Sequence, residues 1–148
     1  MITLVLSDIH LGNGAGYDIF AGAAVLPSVL AAAASQRARI ILNGDTFDFL
    51  MNEDPLELDA ARATAQAQAI VANPPTAAVM VGLGNILAAG GEVVLRLGNH
   101  DAEVALAEVQ AVLRGALQQP PEIAARLVFE RGEEPAVLTV GGARILLA

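Results

Sequence analysis

Three short apolar runs in this chain each end in a cluster of polar residues. The runs are Ile2–Leu6, Ile40–Leu42 and Val93–Leu97, and their length and β-branched content are typical of buried strands. Longer stretches rich in alanine, leucine and valine separate them. This alternation predicts an α/β fold with a mostly parallel sheet that is flanked by helices on both faces.

The stretches between the runs predict four helices and one short final segment. Proline and glycine mark their ends, because proline removes a backbone donor and Gly-Gly ends a helix. The helices are expected near Ile19–Ser35, Pro55–Ala72, Ala77–Ala89 and Ala102–Leu117, with breaks at Asn73-Pro74-Pro75 and Gly90-Gly91 and a short segment from Pro120-Pro121 toward Arg126.

The last part of the chain has a different pattern. Val137–Val140 and Arg144–Leu147 are apolar runs that flank Gly141-Gly142, which predicts a hairpin. The charged stretch Glu130–Glu134 is interpreted as a solvated loop. Because 148 residues is the length of one domain, residues 1–148 are expected to share a single core.

Carboxylates, imidazoles and one carboxamide follow the three predicted strands directly. They are Asp8 and His10 after the first run, Asp45 and Asp48 after the second, and Asn99, His100 and Asp101 after the third. Ligands bind outside the carboxyl ends of parallel strands, so we expect these side chains to converge. In extended backbone, the two-residue spacing of Asp8 and His10 sends both side chains to one side.

Each cluster also has an ordinary structural interpretation. Asp8 can cap a turn, and Asn43-Gly44-Asp45 can form one. Asn99 or Asp101 can serve only as the N-cap of the following helix. The joint occurrence of three clusters at one sheet edge, with both histidines of the chain included, favours a metal site.

The amino-acid composition restricts the type of metal site. The chain has no cysteine, so any metal must be held by oxygen and imidazole nitrogen, which suits manganese, iron, zinc or magnesium. The clusters contain more polar groups than one metal needs, so they predict a pair of divalent ions. A carboxylate such as Asp45 can bridge two ions, and an imidazole that binds neither ion can act as a general acid.

Net charge and hydropathy exclude several partners. The net charge is −8, and the eight basic residues are scattered arginines, so nucleic-acid binding is not expected. Two charge-free stretches, Ile19–Gln36 and Ala63–Gly91, are interrupted by proline and polar residues. They predict buried helices rather than a membrane span. The N-terminus lacks the pattern of a signal peptide, so we expect a cytoplasmic protein.

A glycine-rich loop follows the first predicted strand. Gly12, Gly14 and Gly16 suggest a dinucleotide-binding fingerprint, but that fingerprint needs glycine at position 17, where Tyr17 stands. The glycines therefore predict a mobile loop beside the site, in preference to a loop that cradles a phosphate. Asn13 and Tyr17 in this loop are the candidates for substrate contact.

The three motifs resemble those of the calcineurin-like metallophosphoesterase superfamily. Its pattern of Asp-x-His, Gly-Asp-x-x-Asp and Gly-Asn-His-Asp is matched in order by Asp8-Ile9-His10, Gly44-Asp45-Thr46-Phe47-Asp48 and Gly98-Asn99-His100-Asp101. The resemblance implies hydrolysis of phosphate mono- or diesters at a dinuclear metal centre, with manganese favoured. It also implies a phosphorylated small molecule or a nucleotide-type compound as substrate.

The resemblance implies a role for each motif residue. Asp8 and His10 would bind the first metal ion, Asp45 would bridge both ions, and Asn99 would bind the second. These four residues come from three different motifs, so the implied centre requires all three loops to meet.

The same resemblance assigns the remaining motif residues to catalysis. His100 would be the general acid or a phosphate contact, Asp101 would orient its ring, and Asp48 would support the ligands from behind. The amino-acid sequences in and around the first two motifs are also similar to those of the branch near the UDP-2,3-diacylglucosamine hydrolases. That branch usually has Arg where His100 stands.

The superfamily pattern continues with two further histidine-containing blocks, and this chain has no histidine after His100. The resemblance thus implies the amino-terminal part of an αββα sandwich, incomplete at its C-terminus. The alternative hypothesis is a catalytically inactive fragment or scaffold that acts through protein–protein association. An open sheet edge would favour self-association in that case.

Overall fold

The structure, a computed structural model, describes residues 1–16, 18–50, 59–131 and 135–147. Within these residues the strands are β1 Thr3–Leu6, β2 Arg39–Asn43, β3 Glu92–Arg96, β4 Val128–Glu130, β5 Ala136–Val140 and β6 Ala143–Leu147. The helices are α1 Leu26–Ser35, α2 Ala60–Ala72, α3 Pro74–Ala88, α4 Ala107–Ala116 and α5 Pro121–Ala124, with a 3-10 turn at Ala102–Ala105.

The first four strands form one parallel sheet in the order β1-β2-β3-β4. The predicted α/β class and parallel sheet are therefore confirmed. Because all four strands run in the same direction, their carboxyl ends meet at one edge. The polar motifs that follow β1, β2 and β3 are brought to that edge.

The helices pack on one face of the sheet, whereas the sequence predicted helices on both faces. Strands that follow one another in sequence order, joined by right-handed crossovers, put every connecting helix on the same side. Accordingly, the main hydrophobic core joins all five helices to alternate strand residues, Ile40 and Leu42 of β2 and Val93 and Leu95 of β3.

The other face of the sheet carries a second apolar row. Val5, Ile41, Val94 and Val128 are cross-strand neighbours in the four strands. Ile41 and Val94 in the centre are buried, whereas Val5 and Val128 at the two edges are exposed. This helix-free face is also approached by the terminal hairpin, since Arg96 donates a hydrogen bond to the carbonyl of Leu147 at 3.3 Å.

Two predicted helices begin or run differently in the structure. The helix expected over Ile19–Ser35 begins only at Leu26, so that Pro27 lies in its first turn. Proline is tolerated there because its missing N–H would have no partner within the helix, whereas in the interior of a longer helix it would remove a hydrogen bond. The helix expected over Ala102–Leu117 is divided at Leu106, whose backbone is extended at φ −79° and ψ 133°. The segment before it is a 3-10 turn.

The corner between α2 and α3 forms where Asn73-Pro74-Pro75 predicts a break. Asn73 ends α2 and begins α3 in an extended conformation, and Pro74 enters the first turn of α3. At its other end α2 is capped by the carboxylate of Asp59, which accepts from the N–H of Arg62 at 2.8 Å. The predicted start at Pro55 lies outside the described residues.

Two short elements complete the comparison with the sequence. The predicted hairpin is confirmed, because β5 and β6 pair antiparallel around Gly141 and Gly142, which both have positive φ. Strand β4 was not predicted, since it has only three residues and ends in Glu130.

Within the described residues no single helix is long and apolar enough to cross a membrane, although the pair α2–α3, bent by 88°, would suffice by length and composition.

Candidate metal centre

Backbone hydrogen bonds join the loop after β1 to the loop after β2. The N–H of His10 donates to the carbonyl of Asp45 at 3.0 Å, and that of Leu11 donates to Thr46 at 2.9 Å. In the opposite direction, the N–H of Asp48 donates to the carbonyl of Leu11 at 3.0 Å. The first two motifs therefore continue the strand pairing beyond the sheet and are held in fixed register.

Three motif residues have left-handed backbone, which is uncommon for residues other than glycine. Asp8, His10 and Asp45 have φ of 53°, 54° and 49°. In the described part of the chain the other such residues are Arg37 and Gln118, which directly follow helix ends, where this conformation is ordinary. Left-handed residues away from helix ends often mark functional sites, because the fold must hold them against a conformational cost.

This backbone conformation corrects one argument from the sequence. Asp8 and His10 were expected to point to one side because the chain would be extended there. The chain is not extended at either residue, yet their ligand atoms do converge, since Asp8, His10 and Asp45 offer atoms that all lie within 4.8 Å of one another. The turn geometry of the loops, rather than strand alternation, brings these side chains together.

The loop after β3 closes on the other two loops. One oxygen of the Asp45 carboxylate accepts from the N–H of His100 at 2.9 Å. Gly98 lies directly against the same carboxylate, so that a Cβ at this position would overlap both the backbone and the side chain of Asp45. The N–H of Phe49 donates to the carbonyl of His100 at 3.0 Å, which ties the second and third motifs together.

Asp101 joins the loops after β2 and β3 from the interior. Its fully buried carboxylate accepts from the N–H groups of Thr46 at 2.8 Å, Phe47 at 3.3 Å and Gly98 at 2.6 Å. Burial raises the pKa of Asp101, while these backbone donors oppose the rise. The resemblance implied that Asp101 orients the ring of His100, but its oxygens are turned to the loop backbone instead.

The carboxylate that contacts the His100 ring is Asp48. Its Oδ1 lies 3.2 Å from Nδ1 of His100, and its Oδ2 lies 3.1 Å from Nδ1 of His10. The two rings meet edge to face, with centroids 4.7 Å apart and planes at 88°. Asp48 itself is 5% exposed, so it supports the two imidazoles from the protein side.

The open side of the site is a cavity of about 400 Å³ at the carboxyl ends of the strands. Asp8, Asp45 and Asn99 line it together with Asn43 and Arg96. The structure thus brings Asn99 to the same cavity as the two carboxylates. Their assignment as metal ligands stays a prediction, but their donor set of oxygen and imidazole nitrogen fits manganese, iron, zinc or magnesium.

A second group of potential ligands overlaps the first. His10, Asp48 and His100 also offer atoms within 4.8 Å of one another, so this cluster could bind a metal ion. His10 belongs to both groups. The Nδ1–oxygen distances of 3.1 and 3.2 Å are those of ordinary hydrogen bonds, which favours Asp48 as an acceptor for both rings.

Arg96 is a polar residue of the cavity that the sequence interpretation did not single out. It is 4% exposed, donates from Nη1 to the side chain of Asn43 at 2.5 Å, and places Nε 3.5 Å from a Glu130 oxygen. The sequence does indicate that Arg96 is unusual, because it is the one charged residue within the apolar run Val93–Leu97. A charge inside a buried strand requires partners, and these lie on the helix-free face.

The glycine-rich loop is anchored to the helical corner. Asn73 donates to the carbonyl of Gly12 at 2.9 Å, and Gly14 donates from its N–H to Asp18 at 2.7 Å. Asn13 accepts from the N–H of Ala15, which closes a local turn. Asn13 does not line the cavity of the candidate centre, and Tyr17 lies outside the described residues, so their contact with substrate stays a prediction.

Comparison with known proteins gives no family for this chain. No protein-family model matches it, and no curated protein matches it with significance. The chemistry of the site therefore rests on the residues and geometry described above.

Proposed function

We propose that this protein is a metal-dependent phosphoesterase that hydrolyses phosphate mono- or diesters at a dinuclear metal centre. The observation that carries the proposal is the convergence of Asp8, His10 and Asp45 within 4.8 Å at the carboxyl ends of adjacent parallel strands. Asn99 lines the same cavity. Left-handed backbone at all three converging residues supports a functional rather than a purely structural role.

In this proposal Asp8 and His10 hold one divalent ion, Asn99 holds a second, and Asp45 lies between them. The chemistry that such a pair of ions supplies when bound is polarisation of the phosphoryl group and activation of water. Asp45 suits the central position, because the His100 N–H already orients one of its oxygens at 2.9 Å. Manganese is our first choice of ion, on the resemblance of the three motifs.

His100 is proposed to hold the proton that the departing oxygen needs. Its side chain is 29% exposed, whereas that of His10 is 12% exposed, so His100 is the more accessible of the two imidazoles. With Nδ1 turned to Asp48, its Nε2 is the atom that would hold the proton for a substrate oxygen. His10, with the more buried side chain, is better suited to holding a metal ion.

The fold proposal that accompanies this function is an αββα sandwich. Helices cover one face of the parallel sheet, and the opposite face carries the apolar row of Val5, Ile41, Val94 and Val128. A second sheet packed on that face would bury the exposed ends of the row, as aligned sheets do in sandwiches. The hairpin of β5 and β6 approaches this face through Arg96 and is proposed to belong to the second sheet.

Hydrolysis of chromogenic esters tests the proposed activity. Manganese is expected to stimulate release of nitrophenol from p-nitrophenyl phosphate or its bis ester. Aryl esters are suitable probes, because an apolar cavity of about 580 Å³, which Ile9, Phe20 and Leu26 help to line, adjoins Asp8. Asp45→Asn should reduce the rate by at least about 100-fold, since it weakens the proposed shared ligand.

Asp59→Asn provides the matched control for this substitution. Asp59 caps α2 and does not line the cavity of the candidate centre, and asparagine caps a helix as well as aspartate does. The rate of this variant should stay near that of the unsubstituted protein. A folded protein that shows no metal-stimulated hydrolysis of either ester, or equal rates for the two variants, would contradict the proposal.

The second candidate function is association without catalysis. The observation that favours it is a group of exposed apolar side chains on the hairpin: Val137, Val140, Ile145 and Leu146. Exposed apolar clusters of this kind are typical of interaction surfaces. Among the residues that the structure describes, β1 and β4 are the edge strands of the parallel sheet, and their edges offer a further place for a second chain to pair.

A further inference from the structure

We propose that Asp48 is a positioning residue shared by both histidines, so that metal binding by His10 and proton donation by His100 depend on one carboxylate. This inference rests on the proposed function for its consequences. Its structural part, the common orientation of the two rings, can be tested on the metal-free protein and can fail independently.

The geometry divides the carboxylate between the two rings. Oδ2 of Asp48 faces Nδ1 of His10 at 3.1 Å, and Oδ1 faces Nδ1 of His100 at 3.2 Å. The rings are 4.7 Å apart and perpendicular, so each approaches a different oxygen without stacking on the other. The N–H of Asp48 donates to the carbonyl of Leu11, and the Asp48 side chain is buried. The carboxylate is therefore fixed relative to the loop after β1, which carries His10.

The acceptor chemistry of a carboxylate sets the tautomer of both imidazoles. Oxygens of an ionised carboxylate only accept, so each neutral ring must carry its hydrogen on Nδ1 and leave Nε2 without one. A free Nε2 is the atom through which His10 can bind a metal ion, with its Nδ1–H fixed by a carboxylate. In His100 the same orientation turns Nε2 away from Asp48. The imidazolium form, which carries hydrogens on both nitrogens, can then give its Nε2 proton to the departing oxygen and become the neutral ring with hydrogen on Nδ1.

Asparagine cannot replace Asp48 in this arrangement. An amide has one accepting oxygen and one donating NH₂ group, so it can accept from one ring only. The other ring would meet the NH₂ group and would have to accept at Nδ1, which places its hydrogen on Nε2. Asp48→Asn is therefore expected to divide the two histidines into opposite tautomers, and Asp48→Glu is expected to keep both in the same tautomer.

The composition of the chain makes this measurement simple, because it contains only two histidines. Nitrogen-15 NMR of the ring nitrogens in the metal-free protein, recorded at increasing pH until the signals no longer change, distinguishes the tautomers of the neutral rings. The unsubstituted protein should show two rings with hydrogen on Nδ1. Asp48→Asn should show one ring of each kind, and His100→Gln identifies which signals belong to His10.

Metal binding supplies the second readout. Zinc, which is diamagnetic, should shift the Nε2 signal of His10 in the unsubstituted protein, and Asp48→Asn should weaken zinc affinity by roughly 10–100-fold, as the loss of a carboxylate behind a ligating histidine does. Asp48→Glu should recover most of that affinity, and Asp59→Asn should leave tautomers and affinity unchanged. Circular dichroism of each variant separates these effects from unfolding.

Two results would overturn the inference. If Asp48→Asn leaves both rings with hydrogen on Nδ1, the carboxylate does not set the tautomers. If zinc shifts the Nδ1 signals of both rings, Asp48 and the two Nδ1 atoms form a metal site themselves, as their proximity would also permit. Absence of metal-stimulated phosphoesterase activity in the unsubstituted protein, with the ring signals of every variant as expected, would count against the proposed function alone.

Discussion

At the scale of single residues, the site depends on close contacts that only small or specially oriented groups allow. Gly98 is the clearest example, because it has no side chain where Asp45 approaches. A Cβ there would meet the carboxylate and backbone of Asp45, and these cannot retreat without breaking the contact with His100. Gly98, the first residue of the third motif, is therefore part of the geometry of the candidate centre.

This contact predicts the result of Gly98→Ala. Overpacking should lower the free energy of unfolding by about 1–3 kcal/mol and displace Asp45, so that metal affinity falls as well. Urea unfolding and zinc titration measure the two effects. Gly115→Ala in α4 is the matched control, because a Cβ there meets nothing within 4 Å and alanine favours the helix by about 0.5–1 kcal/mol. Equal behaviour of the two variants would contradict the role assigned to Gly98.

The sequence predicted which residues converge better than it predicted what each one contacts. Asp8, His10, Asp45 and Asn99 were expected at one sheet edge from strand ends alone, and the structure places them there. Which carboxylate faces the His100 ring could not be deduced, because Asp101 is adjacent in sequence while Asp48 reaches the ring across two loops. Side-chain direction in left-handed turns does not follow strand or helix periodicity.

At the scale of elements, the predictions succeeded where apolar periodicity was long and failed where local geometry was decisive. Strands β2 and β3 were found because they are buried runs, and α1 begins late because Pro27 occupies a first turn. The 3-10 turn Ala102–Ala105 was expected to be α-helical. It carries Glu103, whose Oε2 is buried and has no hydrogen-bond partner within the described part of the chain.

Glu103 predicts a pH dependence that can be measured on the folded protein. Burial raises its pKa, and the nearby charge of Asp101 adds to the rise. The folded state therefore binds more protons than the unfolded state above the ordinary value of 4.5, so stability falls as pH rises from that value through the raised pKa. Glu103→Gln removes this loss and should become more stable, relative to the unsubstituted protein, as pH rises from about 4 to 7.

Urea unfolding at several pH values measures this difference for Glu103→Gln. Glu108→Gln is the control, because Glu108 is exposed in the first turn of α4 and its substitution alters a surface carboxylate only. Asp101 is present in all three proteins, so only the part of its contribution that depends on the charge of Glu103 differs between them. A stability difference for Glu103→Gln that is constant with pH, or that decreases as pH rises, would show that burial of this carboxylate is not the cause.

At the scale of the whole molecule, the two faces of the sheet are unequal. One is covered by all the described helices, and the other has apolar residues that are buried at its centre and exposed at its edges. The terminal hairpin adds Val137 and Leu146, which are cross-strand neighbours and both exposed. Such a surface favours association, while the net charge of −8 opposes it by repulsion between copies.

The second candidate function therefore predicts self-association that increases with salt. Salt screens the repulsion between negatively charged copies and leaves apolar burial in place. Light scattering at about 0.05 and 0.5 M salt should show a larger mean mass at the higher value. Leu146→Gln should weaken association about tenfold or more, since burial of a leucine contributes about 1.5–3 kcal/mol. Val25→Gln is the matched control, because Val25 and Leu146 are both 62% exposed but Val25 lies beside α1. A monomer at both salt concentrations, or equal weakening by both substitutions, would show that the hairpin is not an association surface. The phosphoesterase would then be the one remaining candidate function.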